Sequence, residues 1–196
     1  MGEDSPAGKA ESLARLNKIY LAIISRYRDY IEEHENVSVA ELPALVTPKN
    51  AAVVSKVDEI KTSFGRYDYD KHFPEARTSA FAFVKEKVED VVLPLQFWLV
   101  PEETLAFMAG DTFDRCVLLC SLLVGLGNPS AKVAVVVKGE TRRVFVYCEF
   151  SGSAYMFALD GGIKKFSTKQ DMISSLKIDA DTTAYEFNDR TQADMG

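Results

Sequence analysis

The stretch AGDTFDRCVLLCSLLVGLG, Ala109 to Gly127, decides the fold. Gly110-Asp111 reads as a tight turn into a helix, and Asp114 follows Asp111 at the spacing of a capping box. Thr112 is compatible with that first turn. Beyond it, Val117, Leu118, Leu119, Leu122, Leu123, Val124 and Leu126 leave almost no polar face, and Gly127 closes the run. A helix that is apolar on nearly every side has to be buried on most sides. The pattern therefore predicts a central helix over 112–126 with other elements packed around it.

Downstream the periodicity changes from helix to strand. KVAVVVK is β-branched and apolar, RRVFVYCEF alternates, and AYMFALD is a third run, each bounded by Gly or Ser. TKQDMISSLK reads as a helix, TTAYEFND as a last strand and RTQADMG as a tail. Upstream lie helices. Leu13, Leu16, Tyr20, Ile23, Tyr27 and Tyr30 are spaced 3-4-3-4-3 within a helix from Glu11 to about Glu35, with Ile19, Ile24 and Ile31 widening the stripe. That stripe suits a helix docked on its own domain; a coiled-coil or partner-binding helix is the other reading. AAVVSKVDEIKTSF predicts a second helix ending at Gly65, and TSAFAFVKEKVEDVV a third. GRYDYDKHFPEAR between them reads as loop, punctuated by Gly65 and Pro74. Pro101 opens a short helix with Glu102 and Glu103 in its first turn, ended by Gly110. Helices first and an antiparallel sheet after is an α+β arrangement. The division expected is a disordered tail over 1–10, a helical extension over 11–75 and a core domain over 76–190.

Composition narrows the function. With 47% apolar residues a sizeable core can be buried, and a net charge of −6 without any run of Lys or Arg speaks against nucleic acid or anionic membranes as partners. Three cysteines, Cys116, Cys120 and Cys148, are a poor disulfide framework and point to a reducing, cytoplasmic setting. With no Cys-x-x-Cys and only His34 and His72, no familiar zinc spacing exists, and no cofactor is expected. Asp68 and Asp70 read as solvated loop carboxylates rather than an EF-hand. The opening MGEDSPAGKA is too polar for a signal peptide, and Pro6 stands where myristoylation wants Ser or Thr. No apolar run approaches membrane-spanning length.

The order of these elements, with the residues of one segment, resembles the transglutaminase-like, papain-like superfamily. FWLVPEETLAFMAGDTFDRCVLLCSLLVGLG is similar to the archaeal and bacterial branch, in which W-x-x-P-E-E-T-L leads into G-D-C-x-D-x-A-x-L-L-x-x-L-L-x-x-x-G. Trp98, Pro101, Glu102, Glu103, Gly110, Asp111, Asp114, Leu118, Leu119, Leu122, Leu123 and Gly127 fall on the pattern without gaps. The segment also resembles transglutaminase-like domains of some ciliary proteins. The likeness covers about a third of the chain and implies an α+β transglutaminase-like core, with a buried helix on an antiparallel sheet and an N-terminal helical extension.

Active members of that superfamily use a Cys-His-Asp triad. The cysteine sits where a helix dipole favours the thiolate, a histidine on the sheet is the base, and a carboxylate orients it. Carried over here, the cysteine's place is Thr112. The histidine strand aligns with RVFVYC, which puts Arg143 at the base and Phe145 at its aromatic neighbour, give or take a residue. The acid aligns with Asp160. Thr112 is internal and lacks the free amine that threonine catalysis uses. Arginine stays protonated and accepts no proton. Cys116, a turn inside the helix among apolar neighbours, is expected to have a raised pKa; a rewired pair with His72, in the loop DKHFP, is the other reading. Trp98 either packs or lines a cleft. Arg143 and Asp160 either pair with each other or hold an anionic ligand, and Asp111 and Asp114 either bind or only cap the helix. The resemblance thus implies a catalytically inactive domain that binds a protein or peptide in the cleft or serves a structural role. The alternative is an unconventional thiol hydrolase or acyltransferase.

Overall fold

A computed structural model of the chain describes residues 6–34, 38–95 and 97–195. Seven α-helices run in chain order among them: α1 (Pro6–His34), α2 (Leu42–Leu45), α3 (Ala51–Thr62), α4 (Tyr69–Lys87), α5 (Pro101–Phe107), α6 (Thr112–Gly125) and α7 (Lys169–Ser175). The strands are β1 (Glu89–Asp90), β2 (Ala109–Gly110), β3 (Lys132–Lys138), β4 (Thr141–Phe150), β5 (Ser153–Phe157), β6 (Ile163–Phe166), β7 (Thr182–Phe187) and β8 (Gln192–Asp194). Strands β3 to β8 form one antiparallel sheet in the order β6-β5-β4-β3-β7-β8, and β1 pairs with β2 in a short parallel ladder.

The chain divides into two compact units: Met1–Asn36 with Leu93–Phe97, and Val37–Val92 with Trp98–Gly196. The boundary expected near residue 76 is therefore misplaced, because α3 belongs to the core. Val53, Val57 and Ile60 are buried in the same apolar cluster as α6. Gly125 exists for that contact: a Cβ there would lie 2.8 Å from Val57 Cγ2. The tail expected over 1–10 lies outside the described residues up to position 5, and from Pro6 onward it is helix.

Helix α6 is the centre of the second unit. From Phe113 to Leu123 every residue is buried, including Arg115 and Ser121. One sheet face, with Val133, Val135, Val146, Cys148 and Phe157, packs in the same cluster. The other face carries a second cluster, with Ala134, Val136, Phe145, Tyr147 and Met156 gathered around Met172 and Leu176 of the α7 region. The sheet is covered on both sides, so strand alternation selects between two cores rather than between core and solvent.

Two expectations fail here for physical reasons. The loop predicted over 65–77 is mostly the first part of α4. Asp68 caps it, accepting from Lys71 N at 3.2 Å, and Pro74 stands inside it. A proline costs the helix one backbone hydrogen bond, but Phe73, Ala76 and Arg77 around it are buried, and that burial outweighs the loss. The α1 stripe was expected on the chain's own domain, yet Leu13, Leu16, Tyr20, Ile23 and Tyr27 are exposed. The hydrophobic period correctly indicated a helix, but a period does not say what covers it. Strands β6 and β8 escaped the sequence reading because each is short, and β8 has no apolar alternation.

Candidate functional site

The site is built around the first turn of α6. Asp111 is the N-cap, and its Oδ1 accepts from Asp114 N at 2.9 Å. Asp114 Oδ2 accepts from Asp111 N at 3.0 Å, completing the reciprocal box, and its Oδ1 accepts from Leu99 N at 2.9 Å. Asp111 and Asp114 are therefore structural: they terminate the helix and tie the segment before α5 onto it. Burial, followed by the charge of Asp111, pushes the Asp114 carboxyl up to about 7. Gly110 leaves little room for a side chain: a Cβ would lie 3.0 Å from Asp114 Cβ. The short α5 preceding it is closed by Met108 in the left-handed conformation, at φ 52°, rather than by Gly110.

Thr112, the first residue of the helix, is exposed. Behind it Phe113 is buried, with the Trp98 ring at 5.0 Å on one side and the Phe187 ring at 6.0 Å. The Arg142 guanidinium lies over the same Phe113 ring, 5.0 Å from its centre. It is thus Arg142, not Arg143, that faces the helix start. Arg142 shares its strand face with Val144, Val146 and Cys148, which pack toward α6. Arg143 is on the other face, where its Nη2 donates to Leu176 O at 3.2 Å, after α7. Phe145 is buried beside α7 in the second cluster and lines nothing near Thr112. A one-residue slip in the alignment moves every side chain of a strand to the opposite face, and that is what separates the expected Arg143 and Phe145 from the observed Arg142.

Asp160 is exposed in the turn after β5, a turn held by Ala158 N donating to Gly162 O at 3.0 Å. Lys85 Nζ, at the end of α4, donates to Gly161 O at 3.0 Å. The ion pair expected between Arg143 and Asp160 does not form: Arg143 is on the α7 side of the sheet, donating to Leu176 O. Arg142, over the Phe113 ring, lies at the Thr112 end of α6. Arg115, which the sequence reading passed over, anchors this end. Its Nη2 donates to Val84 O and Lys85 O at 3.3 and 3.2 Å, and its Nη1 pairs with Asp90 at 3.2 Å. An arginine at the position after a helix cap gives no sequence signal for such a role.

The three cysteines lie away from the surface. All are free and buried. Burial raises each thiol above its ordinary range, Cys148 to about 12 and Cys116 and Cys120 further still. His72 is occupied at the far end of α6. Its Nδ1 accepts from Asp68 N at 2.9 Å and its ring stacks on Phe64 at 5.2 Å. The neighbouring Tyr67 hydroxyl donates to Leu126 O at 3.0 Å, just beyond the helix's C-terminus. The 14 residues of α6 separate that end from Thr112 by about 20 Å. Among the described residues, no group of three His, Cys, Asp or Glu side chains is arranged to hold a metal ion, and no helix is long and apolar enough to cross a membrane.

The α7 face holds a different polar cluster. Glu186 is buried and accepts from Lys132, from Lys169 at 2.8 Å and from the Tyr147 hydroxyl at 2.7 Å. Burial pushes its carboxyl up, but the three hydrogen bonds outweigh that and hold it below its ordinary value. It borders a hollow of about 480 Å³ that Ile173, Lys177 and Met195 also line. This hollow is on the opposite side of the sheet from Thr112.

The same architecture occurs in LapG of Legionella pneumophila. The two structures superpose with a TM-score of 0.50 over 80% of this chain and 87% of that one, at 13% sequence identity. The fold is transglutaminase-like. This agrees with the fold class expected from the segment between Trp98 and Gly127, a buried helix on an antiparallel sheet. No protein-family model matches the sequence, and no curated protein matches it either.

Proposed function

We propose that this transglutaminase-like domain performs no thiol catalysis and acts as a protein- or peptide-binding, or structural, module. One observation carries the reading: the helix end where a reactive thiol would be favoured presents Thr112, with Arg142 over the neighbouring Phe113 ring, while every cysteine is buried. A threonine hydroxyl needs a base to become a nucleophile, and a guanidinium cannot be that base. Moving Cys116 into play would require unwinding the first turn of α6, against a complete capping box and the Arg115 anchor.

What remains at the surface is suited to recognition. Trp98 is half-buried against the Phe113 ring that Arg142 covers, and Thr112 and Arg142 are exposed. An aromatic edge near a guanidinium offers stacking and charged hydrogen bonds to an extended peptide. The test is thiol alkylation of the native protein at neutral pH, run beside turnover assays on glutamine-containing and other peptides. The reading expects no modification of Cys116, Cys120 or Cys148 until the protein unfolds, and no turnover. Rapid alkylation of one cysteine together with hydrolysis or acyl transfer would favour the thiol enzyme instead.

A further inference from the structure

We propose that the hollow beside α7 binds a small organic carboxylate that carries a short apolar chain. The hollow exists because α7 is too short for its sheet. Its 7 residues span about 10 Å, whereas six strands spaced about 4.8 Å apart are more than twice as wide. Helix α7 lies against β5 and β6. Beside it, toward β7 and β8, the hollow of about 480 Å³ is left open, a size that suits a small molecule. Every residue that lines it belongs to the second compact unit, so its shape is set within that unit alone.

Three features select the ligand. The first is the buried carboxylate in the wall. Glu186 is 3% exposed, and Lys132, Lys169 and the Tyr147 hydroxyl all donate to it. Two ammonium groups on one carboxylate leave this wall with a net positive charge. Lys169 spends one of its three donors on Glu186, and its side chain is 30% exposed. The second feature is Lys177. It follows α7 at the place where a helix usually ends on glycine, in the left-handed conformation at φ 54°. A side chain strains the backbone there. What it adds is a second ammonium group on the lining, one with no hydrogen-bond or ion-pair partner among the described residues. Asp194, exposed, is the other acid of the lining, and Lys132, Lys169 and Lys177 still outnumber the two acids. The third feature is apolar: Ile173, Ile178 and Met195 also line the hollow. The lysines suit a single carboxylate. The apolar side chains suit a hydrocarbon chain, and an inorganic anion would leave them uncovered.

Titration of the isotope-labelled full chain, followed by amide NMR shifts, tests this. Hexanoate is the probe, hexylammonium its charge-reversed counterpart and inorganic phosphate an anion without a chain. Hexanoate should give saturable shifts at amides of α7, Lys177 and Glu186, with half-saturation on the order of a few millimolar, while amides around Thr112 stay still. Hexylammonium and phosphate should each bind about tenfold more weakly or worse. Lys177→Gly removes the ammonium group and the strain together. It should raise the melting temperature while weakening hexanoate about tenfold, which separates lost binding from lost fold. Lys177→Gln keeps the strain, removes the charge and should weaken hexanoate to the same extent. No saturation by about 50 mM hexanoate overturns the proposal. So does equal binding of hexylammonium or phosphate, or an affinity unchanged in the two Lys177 variants.

Discussion

Helices α1 and α6 both announce themselves through hydrophobic period, and they end in opposite surroundings. In α6 the apolar residues occupy every side, so the chain itself has to supply the cover, and Leu118, Leu119, Leu122 and Leu123 are inaccessible. In α1 the apolar residues form a stripe backed by Arg15, Lys18, Asp29 and Glu32, and Ile23 at its centre is 49% exposed. A one-sided stripe is a demand for one surface, and that surface need not belong to the same chain. The number of apolar faces, more than their hydrophobicity, separates a helix buried on every side from one with a single apolar stripe.

The largest effect should break the comparison if it is wrong. Leu119→Ala should cost about 2–5 kcal/mol in urea unfolding, as for a fully buried leucine that leaves a cavity. Ile23→Ala in dilute protein should cost less than about 0.5 kcal/mol. Equal losses at the two positions would mean that α1 is part of the folded core.

A smaller effect, on the order of 2 kcal/mol, belongs to the cap of α6. The Asp114 carboxyl is raised from 3.8 to about 7 in the folded chain, so the folded state holds its proton more tightly than the unfolded one. The stability this contributes is full below about pH 4 and is lost as pH rises through about 7. The melting temperature should therefore be higher at pH 5 than at pH 8, and Asp114→Asn should flatten that slope. A slope of the opposite sign, or one unchanged in the variant, would place the titration elsewhere.

The smallest effects distinguish the two sheet faces. Arg142→Ala and Arg143→Ala should each cost less than about 1 kcal/mol, since both side chains are exposed. Their local readouts should differ. Trp98 is the single tryptophan, stacked on the Phe113 ring that Arg142 covers. Arg142→Ala should shift its emission, and Arg143→Ala should leave it unchanged while speeding amide exchange near Leu176. Emission that responds to Arg143 instead would restore the strand register first expected.

What the sequence made legible follows from how many constraints act on each feature. The buried helix, its capping residues and the strands β3, β4, β5 and β7 could be read because period, capping spacing and glycine punctuation agree there. The start of α4 could not, because Pro74 is a local signal against helix, while the burial of Phe73 and Ala76 that overrides it is set by distant residues. That Thr112 opens the buried helix followed from the ungapped spacing between Trp98 and Gly127. The arginine did not, because Arg142 and Arg143 are the same residue type on opposite faces, and nothing in RRVFVYC says which face meets α6 when both are covered. Arg115 was invisible for a related reason: its partners Val84 O and Lys85 O are backbone atoms of another helix.

We propose that Thr112 stands at the place of a reactive thiol and Arg142 at the place of its base. The direct test is the alkylation rate at neutral pH of Thr112→Cys alone, with Arg142→His, and with Arg143→His. The installed thiol should react faster than Cys116, Cys120 or Cys148 in every background, and Arg142→His should accelerate it while Arg143→His should not. A thiol at 112 no more reactive than the native cysteines, or one accelerated by Arg143→His instead, would contradict this placement of the site.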